Sequence, residues 1–183
     1  MKLIILDRDG VINKESREFI KCPAEWLPIP GSLETIAKLN NAGYTVVITT
    51  NQSGVGRGYF DLAMLNDIHN KLHSELEKVG GKISKIYFCP HLPDAGCNCR
   101  KPKTGMFEQI ASDFDVDLKV LQPLYIGDSF RDFELAMATG CKFCLVTGPF
   151  GDGKETLHKL SESQKQQITI AEDLSSAVNG LLL

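Results

Sequence analysis

Short apolar runs alternate along the chain with longer segments in which apolar residues recur at helical spacing. Five apolar runs have the length and the β-branched content of buried strands, at residues 2–6, 44–50, 83–88, 123–126 and 142–146. Four segments have the periodicity and end signals of amphipathic helices, at residues 32–41, 61–79, 104–114 and 130–138. This β-α-β-α order predicts an α/β fold, a Rossmann-like three-layer sandwich with a mostly parallel central sheet.

The length of the chain and the number of residues between its predicted elements limit the number of domains. After residue 146 the pattern predicts helix, a short strand near residues 168–170 and a final helix. A chain of 183 residues is long enough for one well-packed core, so we expect one domain over residues 1–183. About 20 residues separate Asp9 from the helix that begins near Ser32, which is too few for a folded cap. The sequence therefore predicts no large cap domain.

Composition and charge narrow the class of partner. The formal net charge is -3, so the chain offers no general basic field to a nucleic acid. No apolar run approaches the roughly 20 residues of a membrane helix, and the N-terminus lacks the apolar core of a signal peptide. We expect a cytoplasmic monomer that acts on a small molecule, with neither membrane nor nucleic acid as partner.

Polar clusters follow directly after four of the predicted strands. The pairs are Asp7 and Asp9, Thr50 and Asn51, Cys89 and His91, and Gly127 and Asp128. The carboxyl ends of parallel strands lie at one edge of a sheet, where ligands of such folds bind. All four clusters are therefore expected to meet at that edge.

The stretch DRDG raises the question of why a buried strand should end in two carboxylates. Asp7 can attack a phosphoryl group as a nucleophile, and Asp9 can exchange protons with the leaving oxygen and with water. With Asp128, they offer the hard oxygen ligands of Mg²⁺, which would offset their repulsion. The alternative is a strand-end turn that uses aspartate for its turn chemistry.

Two further segments carry groups that could bind a phosphoryl oxygen. Thr50 in TTNQSG offers a hydroxyl group, and Lys101 in CRKPKTG offers a positive charge beside Arg100. The alternatives are an ordinary Asn/Ser/Gly turn and a solvated basic loop. The sequence alone leaves both readings open.

A loop at residues 89–103 contains the ligand set of a structural zinc site. Cys89, His91, Cys97 and Cys99 supply three thiols and one imidazole within a short stretch, which suits tetrahedral Zn²⁺. Such an ion would order a loop that lacks regular structure. The alternative is a chance grouping of loop cysteines. Cys141 and Cys144, which also form a Cys-x-x-Cys pair, are interpreted as small core residues.

The motifs in order, Asp-x-Asp, Thr-Asn, Lys and Gly-Asp-x-x-x-Asp, resemble those of the haloacid dehalogenase superfamily of phosphotransferases. The resemblance spans residues 7–148. It implies that Asp7 is the nucleophile, Asp9 the general acid and base, and Thr50 and Lys101 the groups that stabilise the phosphoryl group. It also implies Mg²⁺ binding by Asp7, Asp9 (through its backbone carbonyl) and Asp128, with Asp132 behind them.

The cysteine loop is similar to that of one subfamily, the D-glycero-D-manno-heptose 1,7-bisphosphate 7-phosphatases and the related histidinol-phosphatases. TNQSGVGRGYF and CRKPKTGM are similar to the heptose-bisphosphatase segments, whereas the five residues between His91 and Cys97 are more like the histidinol-phosphatase loop. By position, the resemblance implies substrate contacts from Glu15, Ser16, Arg17, Glu18, Thr50, Asn51, Gln52, Ser53, Arg100 and Lys101. Arg57 and Arg100 are candidates for a second anionic group, because guanidinium binds phosphate in a bidentate manner. For Arg57 the alternative is a solvent-facing residue before a helix.

The resemblance thus implies an Mg²⁺-dependent phosphatase with a structural Zn²⁺. The expected reaction is hydrolysis of the 7-phosphate of the heptose bisphosphate through an aspartyl-phosphate, in the synthesis of ADP-heptose and lipopolysaccharide core precursors. The main alternative is a histidinol-phosphate phosphatase of histidine biosynthesis, against which the basic Arg57 and Arg100 argue. Less favoured are a polynucleotide 3′-phosphatase, a mutase and a non-catalytic zinc-stabilised binding domain.

Overall fold

Six strands form one parallel sheet in the computed structural model, which describes residues 1–182. The strand order across the sheet is β3-β2-β1-β4-β5-β6, and all five pairings are parallel. The strands are β1 (Leu3–Leu6), β2 (Thr45–Asn51), β3 (Lys85–Cys89), β4 (Leu124–Gly127), β5 (Lys142–Val146) and β6 (Thr169–Ala171). The predicted α/β fold with a mostly parallel sheet is confirmed.

Helices connect successive strands and cover both faces of the sheet. They are α1 (Ser32–Asn41), α2 (Ser53–Gly56), α3 (Leu62–Lys78), α4 (Gly105–Phe114), α5 (Leu118–Leu121), α6 (Phe130–Thr139), α7 (Gly153–Lys159), α8 (Glu162–Lys165) and α9 (Leu174–Val178). Two short 3₁₀ turns lie at Pro23–Glu25 and Asn179–Leu181. No helix within residues 1–182 combines the length and the apolar character that crossing a bilayer requires.

Two apolar cores form because alternate residues of each buried strand point to opposite faces. Ile4 and Leu6 of β1 pack with residues of α1, α3 and α9 in one core. Leu3 and Ile5 of the same strand pack with residues of α4 and α6 in the other. Cys144 lies in the first core and Cys141 in the second. The molecule therefore has three layers, with a sheet that is buried on both sides.

Local capping explains most of the helix boundaries. Asp61 is the N-cap of α3 and accepts a hydrogen bond from the Met64 amide at 2.8 Å, the contact expected of an N-cap aspartate. Ser129 and Asp132 form a reciprocal capping box at the start of α6. Thr104 precedes α4 without capping it through its side chain, because its hydroxyl donates to Glu108 Oε1 instead.

The strand register brings the sequence motifs to one edge of the sheet. Leu6 pairs with Ile48 on one side and with Ile126 on the other. β4 ends one residue beyond this level, at Gly127, and β2 continues three residues further, to Asn51, so the three carboxyl ends lie at one edge of the sheet. Between β1 and α1 the chain contains one 3₁₀ turn and otherwise irregular loop, so no cap domain covers this edge within residues 1–182. The prediction of an uncapped site is confirmed.

Candidate active site

A cavity of about 60 Å³ lies at the carboxyl ends of β1, β2 and β4. Ten residues line it: Asp7, Asp9, Glu15, Thr50, Asn51, Lys101, Asp128, Ser129, Arg131 and Asp152. Six of the residues that the motifs predict are therefore neighbours here, although the sequence spreads them from Asp7 to Asp128. The fold brings them together because the strands are parallel.

Asp7 is the first residue after β1 and is almost completely buried. Its Oδ1 accepts a hydrogen bond from the Arg8 amide at 2.7 Å and lies 2.9 Å from Lys101 Nζ. Burial raises the pKa of Asp7 well above its usual value, with Asp132 adding to the rise and Lys101 opposing it. The carboxylate is thus poorly hydrated, fixed in direction and aimed into the cavity.

Lys101 is only 3% exposed and lies between two carboxylates. Its Nζ is 2.9 Å from Asp7 and 2.7 Å from Asp132, and it donates to the Thr49 carbonyl oxygen at 3.0 Å. Burial lowers the pKa of Lys101, but Asp132 and Asp7 outweigh that effect and the net shift is upward. The side chain is therefore a charged ammonium that offsets the two acids.

The backbone of Lys101 is fastened to β2 by a side-chain amide. Asn51 Oδ1 accepts from the Lys101 amide at 3.0 Å, and Asn51 Nδ2 donates to the Lys101 carbonyl oxygen at 3.2 Å. This two-bond bridge positions a loop residue against a strand. Asn51 therefore has a clear structural role in addition to lining the cavity.

Asp132 is fully buried and has all its acceptor capacity used. It accepts from Tyr125 Oη and from the Ser129 hydroxyl and amide, and it pairs with Lys101. Lys101 and the Ser129 bonds hold its pKa at about 2 despite burial. Asp132 acts on the site by holding Lys101, consistent with the position behind the metal ligands that the resemblance implies.

Asp128 lies at the end of β4 beneath a close approach of two loops. Its Oδ2 accepts from the Asp152 amide at 2.7 Å. A Cβ atom at either Gly10 or Gly151 would overlap that same oxygen, so both positions require glycine. The loop that follows β5 therefore helps to fix this carboxylate.

The carboxylates of Asp7 and Asp128 suit a divalent cation. Ligand oxygens of Asp7, Asp128 and Asp132 lie within 4.8 Å of one another. Burial raises the pKa of Asp128 well above its usual value, and Asp7 and Asp132 raise it further. A dication between these acids would offset the repulsion, and hard oxygen donors are the ligands that Mg²⁺ prefers.

Asp9 is surrounded by donors. Its carboxylate accepts from Arg8, from Asn13 Nδ2 at 2.8 Å and from Gln52 Nε2 at 2.9 Å. Thr50 Oγ1 lies 3.5 Å from Asp9 Oδ2 and accepts from Gln52 at 2.8 Å. Burial alone would raise the pKa of Asp9, but Arg8 and these hydrogen bonds lower it.

The predicted substrate contacts fall into three groups. Glu15, Thr50, Asn51 and Lys101 line the cavity. Gln52 and Ser53 are buried beside it. Four residues, Ser16, Arg17, Glu18 and Arg57, are exposed and Arg100 is half-buried, and these five lie outside the lining. The Arg57 guanidinium lies over the Phe19 ring at 5.7 Å, and Arg100 donates to the His91 carbonyl oxygen at 3.5 Å.

Several residues that shape the site have no motif signal of their own. Three of them are buried residues that contact the site acids: Arg8 and Asn13 contact Asp9, and Tyr125 contacts Asp132. These contacts depend on the direction of each side chain, which the sequence pattern does not give. Arg131 and Asp152 line the cavity from α6 and from the loop after β5. Arg131 lies four residues beyond the end of β4 and Asp152 six beyond the end of β5, so their place in the sequence did not mark either of them.

The four predicted zinc ligands also meet. Cys89 Sγ lies 3.6 Å from Cys97 Sγ and from His91 Nδ1, and His91 Nδ1 lies 3.2 Å from Cys99 Sγ. Tetrahedral sites with Zn–S bonds near 2.3 Å place their ligand atoms about 3.8 Å apart. All six cysteines are free thiols. The donor set and its spacing therefore fit Zn²⁺.

Comparison with known proteins gives consistent results. The family profile described as "Polynucleotide kinase 3 phosphatase" matches residues 2–144. A D-glycero-beta-D-manno-heptose-1,7-bisphosphate 7-phosphatase of Bordetella bronchiseptica is 48% identical, covering 100% of this chain and 98% of the relative. The corresponding enzyme of Pseudomonas aeruginosa is 46% identical, covering 98% and 97%.

The solved structures agree with the sequence comparison. A crystal structure of D,D-heptose 1,7-bisphosphate phosphatase from B. bronchiseptica, complexed with magnesium and phosphate, has a TM-score of 0.91 at 48% identity and covers 100% of this chain and 98% of that one. The close match in fold and sequence extends over the whole length of both proteins. The chain therefore belongs to the D-glycero-D-manno-heptose-1,7-bisphosphate 7-phosphatase family of haloacid dehalogenase-like phosphatases.

Proposed function

We propose that this protein is an Mg²⁺-dependent phosphatase that removes the 7-phosphate from D-glycero-D-manno-heptose 1,7-bisphosphate. The product would supply ADP-heptose and lipopolysaccharide core precursors. The observation that carries the chemistry is the buried Asp7–Lys101 pair beside Asp128 at the carboxyl ends of the strands. The relatives that are 48% and 46% identical over nearly the whole chain support the substrate.

In the first half of the reaction, Asp7 is the nucleophile. Its carboxylate oxygen attacks phosphorus, the bond from phosphorus to the sugar oxygen breaks, and Asp9 gives that oxygen a proton. Asp9 must enter this step protonated, and the negative charge of the bound phosphate opposes the donors that lower its pKa. Lys101, 2.9 Å from Asp7, offsets negative charge as the phosphoryl group moves onto the carboxylate. The Thr50 hydroxyl is placed to donate to a phosphoryl oxygen.

In the second half, water hydrolyses the aspartyl-phosphate. Asp9 takes a proton from the water, the water oxygen attacks phosphorus, and the bond to the Asp7 oxygen breaks to release inorganic phosphate. Mg²⁺, held by Asp7, Asp128 and the Asp9 backbone carbonyl, would supply charge neutralisation for the phosphoryl oxygens.

The rim of the cavity supports a substrate with two phosphates. Burial lowers the pKa of Arg100, and Arg131 and Arg57 lower it further while Cys89 and Cys97 oppose them, so the guanidinium groups are close enough to repel one another. A second phosphate would relieve this repulsion through bidentate hydrogen bonds. Histidinol phosphate carries an ammonium group instead, so the same residues would repel it. We assign the remaining predicted contacts, Glu15–Glu18 and Asn51–Ser53, to the sugar side of this opening.

We also propose that residues 89–103 form a zinc-binding loop within a single domain over residues 1–183. Cys89, His91, Cys97 and Cys99 would hold Zn²⁺, which is redox-inactive and takes such donors in closed tetrahedral sites. A sugar bisphosphate is an intracellular metabolite, so we place the reaction in the cytoplasm, carried out by a monomer.

Phosphate release with Mg²⁺ tests the proposal. We expect kcat/KM for one anomer of the heptose bisphosphate to exceed that for histidinol phosphate by roughly a hundredfold or more, on the order of 3 kcal/mol. The Arg57→Ala and Arg100→Ala variants should narrow this preference. A preference for histidinol phosphate would reject the substrate and keep the chemistry. Activity that survives Asp7→Asn unchanged would reject the mechanism.

A further inference from the structure

A buried guanidinium lies behind the cavity. Arg8 is only 1% exposed and belongs to the DRDG turn, where its side chain points into the protein while those of its neighbours Asp7 and Asp9 face the cavity. Burying an unpaired guanidinium is strongly unfavourable, so its contacts indicate why it is there.

The main contact of Arg8 is the carboxylate of Asp9. Arg8 Nη2 lies 3.0 Å from both oxygens of Asp9, and Nε lies 3.3 Å from Oδ1. The adjacent residues are thus joined by a two-pronged ion pair. Asn13 donates to Oδ1 and Gln52 to Oδ2, so each oxygen has an arginine donor and an amide donor. This set of donors fixes the plane of the carboxylate.

The end of the Arg8 guanidinium that does not face Asp9 contacts α3. Its Nη1 lies 3.4 Å from Nε2 of His69, which is buried and packs edge-on against Phe88. Arginine has donors only, so Nε2 must be the acceptor and His69 must be a neutral imidazole. Burial, with Arg8 as the next contribution, lowers the pKa of His69 to about 3, in agreement with that state. A helix outside the cavity therefore supports Arg8.

We infer that Arg8 is a positioning residue for the reaction, which holds the Asp9 carboxylate at the angle needed for proton transfer, and that His69 holds Arg8. The inference rests on the proposed function, because it gives a support to the residue that we assign as acid and base. Arg8 faces away from the phosphoryl position, so it contributes through Asp9 rather than by binding substrate. Small errors in the placement of a catalytic group can lower the rate by roughly a hundredfold.

The leaving-group dependence of the rate distinguishes positioning from general stability. Proton donation by Asp9 matters little for p-nitrophenyl phosphate, whose leaving group is stable as an anion, and more for phenyl phosphate. We expect Arg8→Met to lower kcat for phenyl phosphate roughly tenfold more than for p-nitrophenyl phosphate, with KM nearly unchanged. Arg8→Lys, which keeps the charge but loses the two-pronged contact, should restore part of that difference.

A double-mutant cycle with Asp9→Asn completes the test. If Arg8 acts through Asp9, adding Arg8→Met to Asp9→Asn should cause little further loss on either ester. Equal losses on both esters, or losses that add in the double variant, would overturn the positioning role. If Arg8→Met does not fold, the same comparison is made with Arg8→Lys and with His69→Leu, which leaves Arg8 Nη1 without its acceptor.

The Asp9→Asn variant alone separates this inference from the proposed function. If it shows no leaving-group dependence, the acid role of Asp9 is wrong and the role of Arg8 is overturned with it. If Asp9→Asn shows that dependence and the Arg8 variants do not, the mechanism stands and only the positioning role is overturned. Thermal unfolding of each variant confirms that the compared proteins are folded.

Discussion

The carboxylate cavity and the cysteine loop are neighbours in sequence, with Cys99 two residues before Lys101, but they are held together in different ways. In the cavity, buried hydrogen bonds from several strands and helices fix each carboxylate. In the loop, three of the four ligands are at least partly exposed and their donor atoms mainly contact one another. The protein chain itself fixes the geometry of the first site, whereas the second is a group of soft donors that we propose is held by an ion.

This contrast leads to a test of whether each site is held together by its ion or by the protein chain. At the cavity, removing the ion should leave the protein folded, because Lys101 offsets Asp7 and Asp132 without it. At the loop, removing the ion should release the segment that leads to α4. The variants below separate these two outcomes, starting with the largest effect.

Replacing Asp7, the proposed nucleophile, should abolish activity and leave both the cavity and the cysteine loop intact. Asp7→Asn is expected to lower kcat on the order of 10⁴-fold to 10⁶-fold, the range measured when single members of a catalytic set are removed. Because burial raises the pKa of Asp7, the ionised form destabilises the protein at neutral pH. The variant should therefore unfold in urea, without added Mg²⁺, at a concentration no lower than the wild type.

Zinc content and a control variant complete that comparison. The bound zinc per chain should be the same in Asp7→Asn and the wild type, since the loop ligands are untouched. Asp67→Asn, on the exposed part of α3, should change neither activity nor stability. A large loss of stability in Asp7→Asn would mean that the cavity is held by Asp7 itself.

Removing the buried ammonium group of Lys101 should destabilise the cavity rather than the cysteine loop. Lys101→Met leaves Asp7 and Asp132 without their shared cation, and such a change costs about 3–5 kcal/mol in the free energy of unfolding. Phosphate release should also fall roughly a thousandfold, because the charge beside the phosphoryl group is lost.

Lys103→Met is the matched control for Lys101→Met. Lys103 belongs to the same loop but is exposed, and it donates to the Cys97 carbonyl oxygen at 2.7 Å. Urea unfolding should show a change of less than about 1 kcal/mol for this variant. Equal losses for the two lysines would contradict the view that the cavity is pre-formed by buried charge.

The difference between the two regions also explains what the sequence could predict. The apolar periodicity and the parallel connections suffice to predict the sheet and to bring Asp7, Thr50 and Asp128 to one edge. The loop ligands follow from residue type and spacing alone. The Arg8–Asp9 pair, the Asn51 bridge and the glycine contacts at Asp128 depend on side-chain direction and loop approach, which no local pattern encodes.

Breaking the loop should lower stability more than activity. Cys97→Ser removes one of four ligands, and losing an ion present at about a hundred times its dissociation constant costs on the order of 3 kcal/mol. Activity should fall less than tenfold, because displacement of Arg100 weakens substrate binding while the Asn51 bridge still holds Lys101.

A zinc chelator and a variant of a second cysteine check the loss of stability expected for Cys97→Ser. Treating the wild type with a strong zinc chelator and then restoring Mg²⁺ should reproduce the Cys97→Ser stability, measured by thermal unfolding. Cys22→Ser, away from the ligand cluster, should retain zinc and wild-type stability. Full stability of metal-free Cys97→Ser protein would mean that the loop, like the cavity, is held by the chain alone.

The smallest expected effect concerns acid, and it tests the support behind the cavity. Folding lowers the pKa of His69 from 6.5 to about 3, so between these values the unfolded chain binds more protons than the native protein. The free energy of unfolding therefore falls as the pH drops through this window, by at most about 1.4 kcal/mol per pH unit from this residue. His69→Gln keeps an acceptor for Arg8 but cannot titrate, so urea unfolding between pH 6.5 and 5 should show a shallower loss of stability.

His73→Gln, one turn further along α3 and exposed, is the control and should follow the wild-type slope. Any loss of zinc in acid would affect all three proteins alike. The difference in slope between the two histidine variants therefore reports on His69 alone. Identical slopes for all three would show that His69 takes up a proton as readily in the folded protein as in the unfolded chain, which would contradict a buried imidazole held neutral against Arg8.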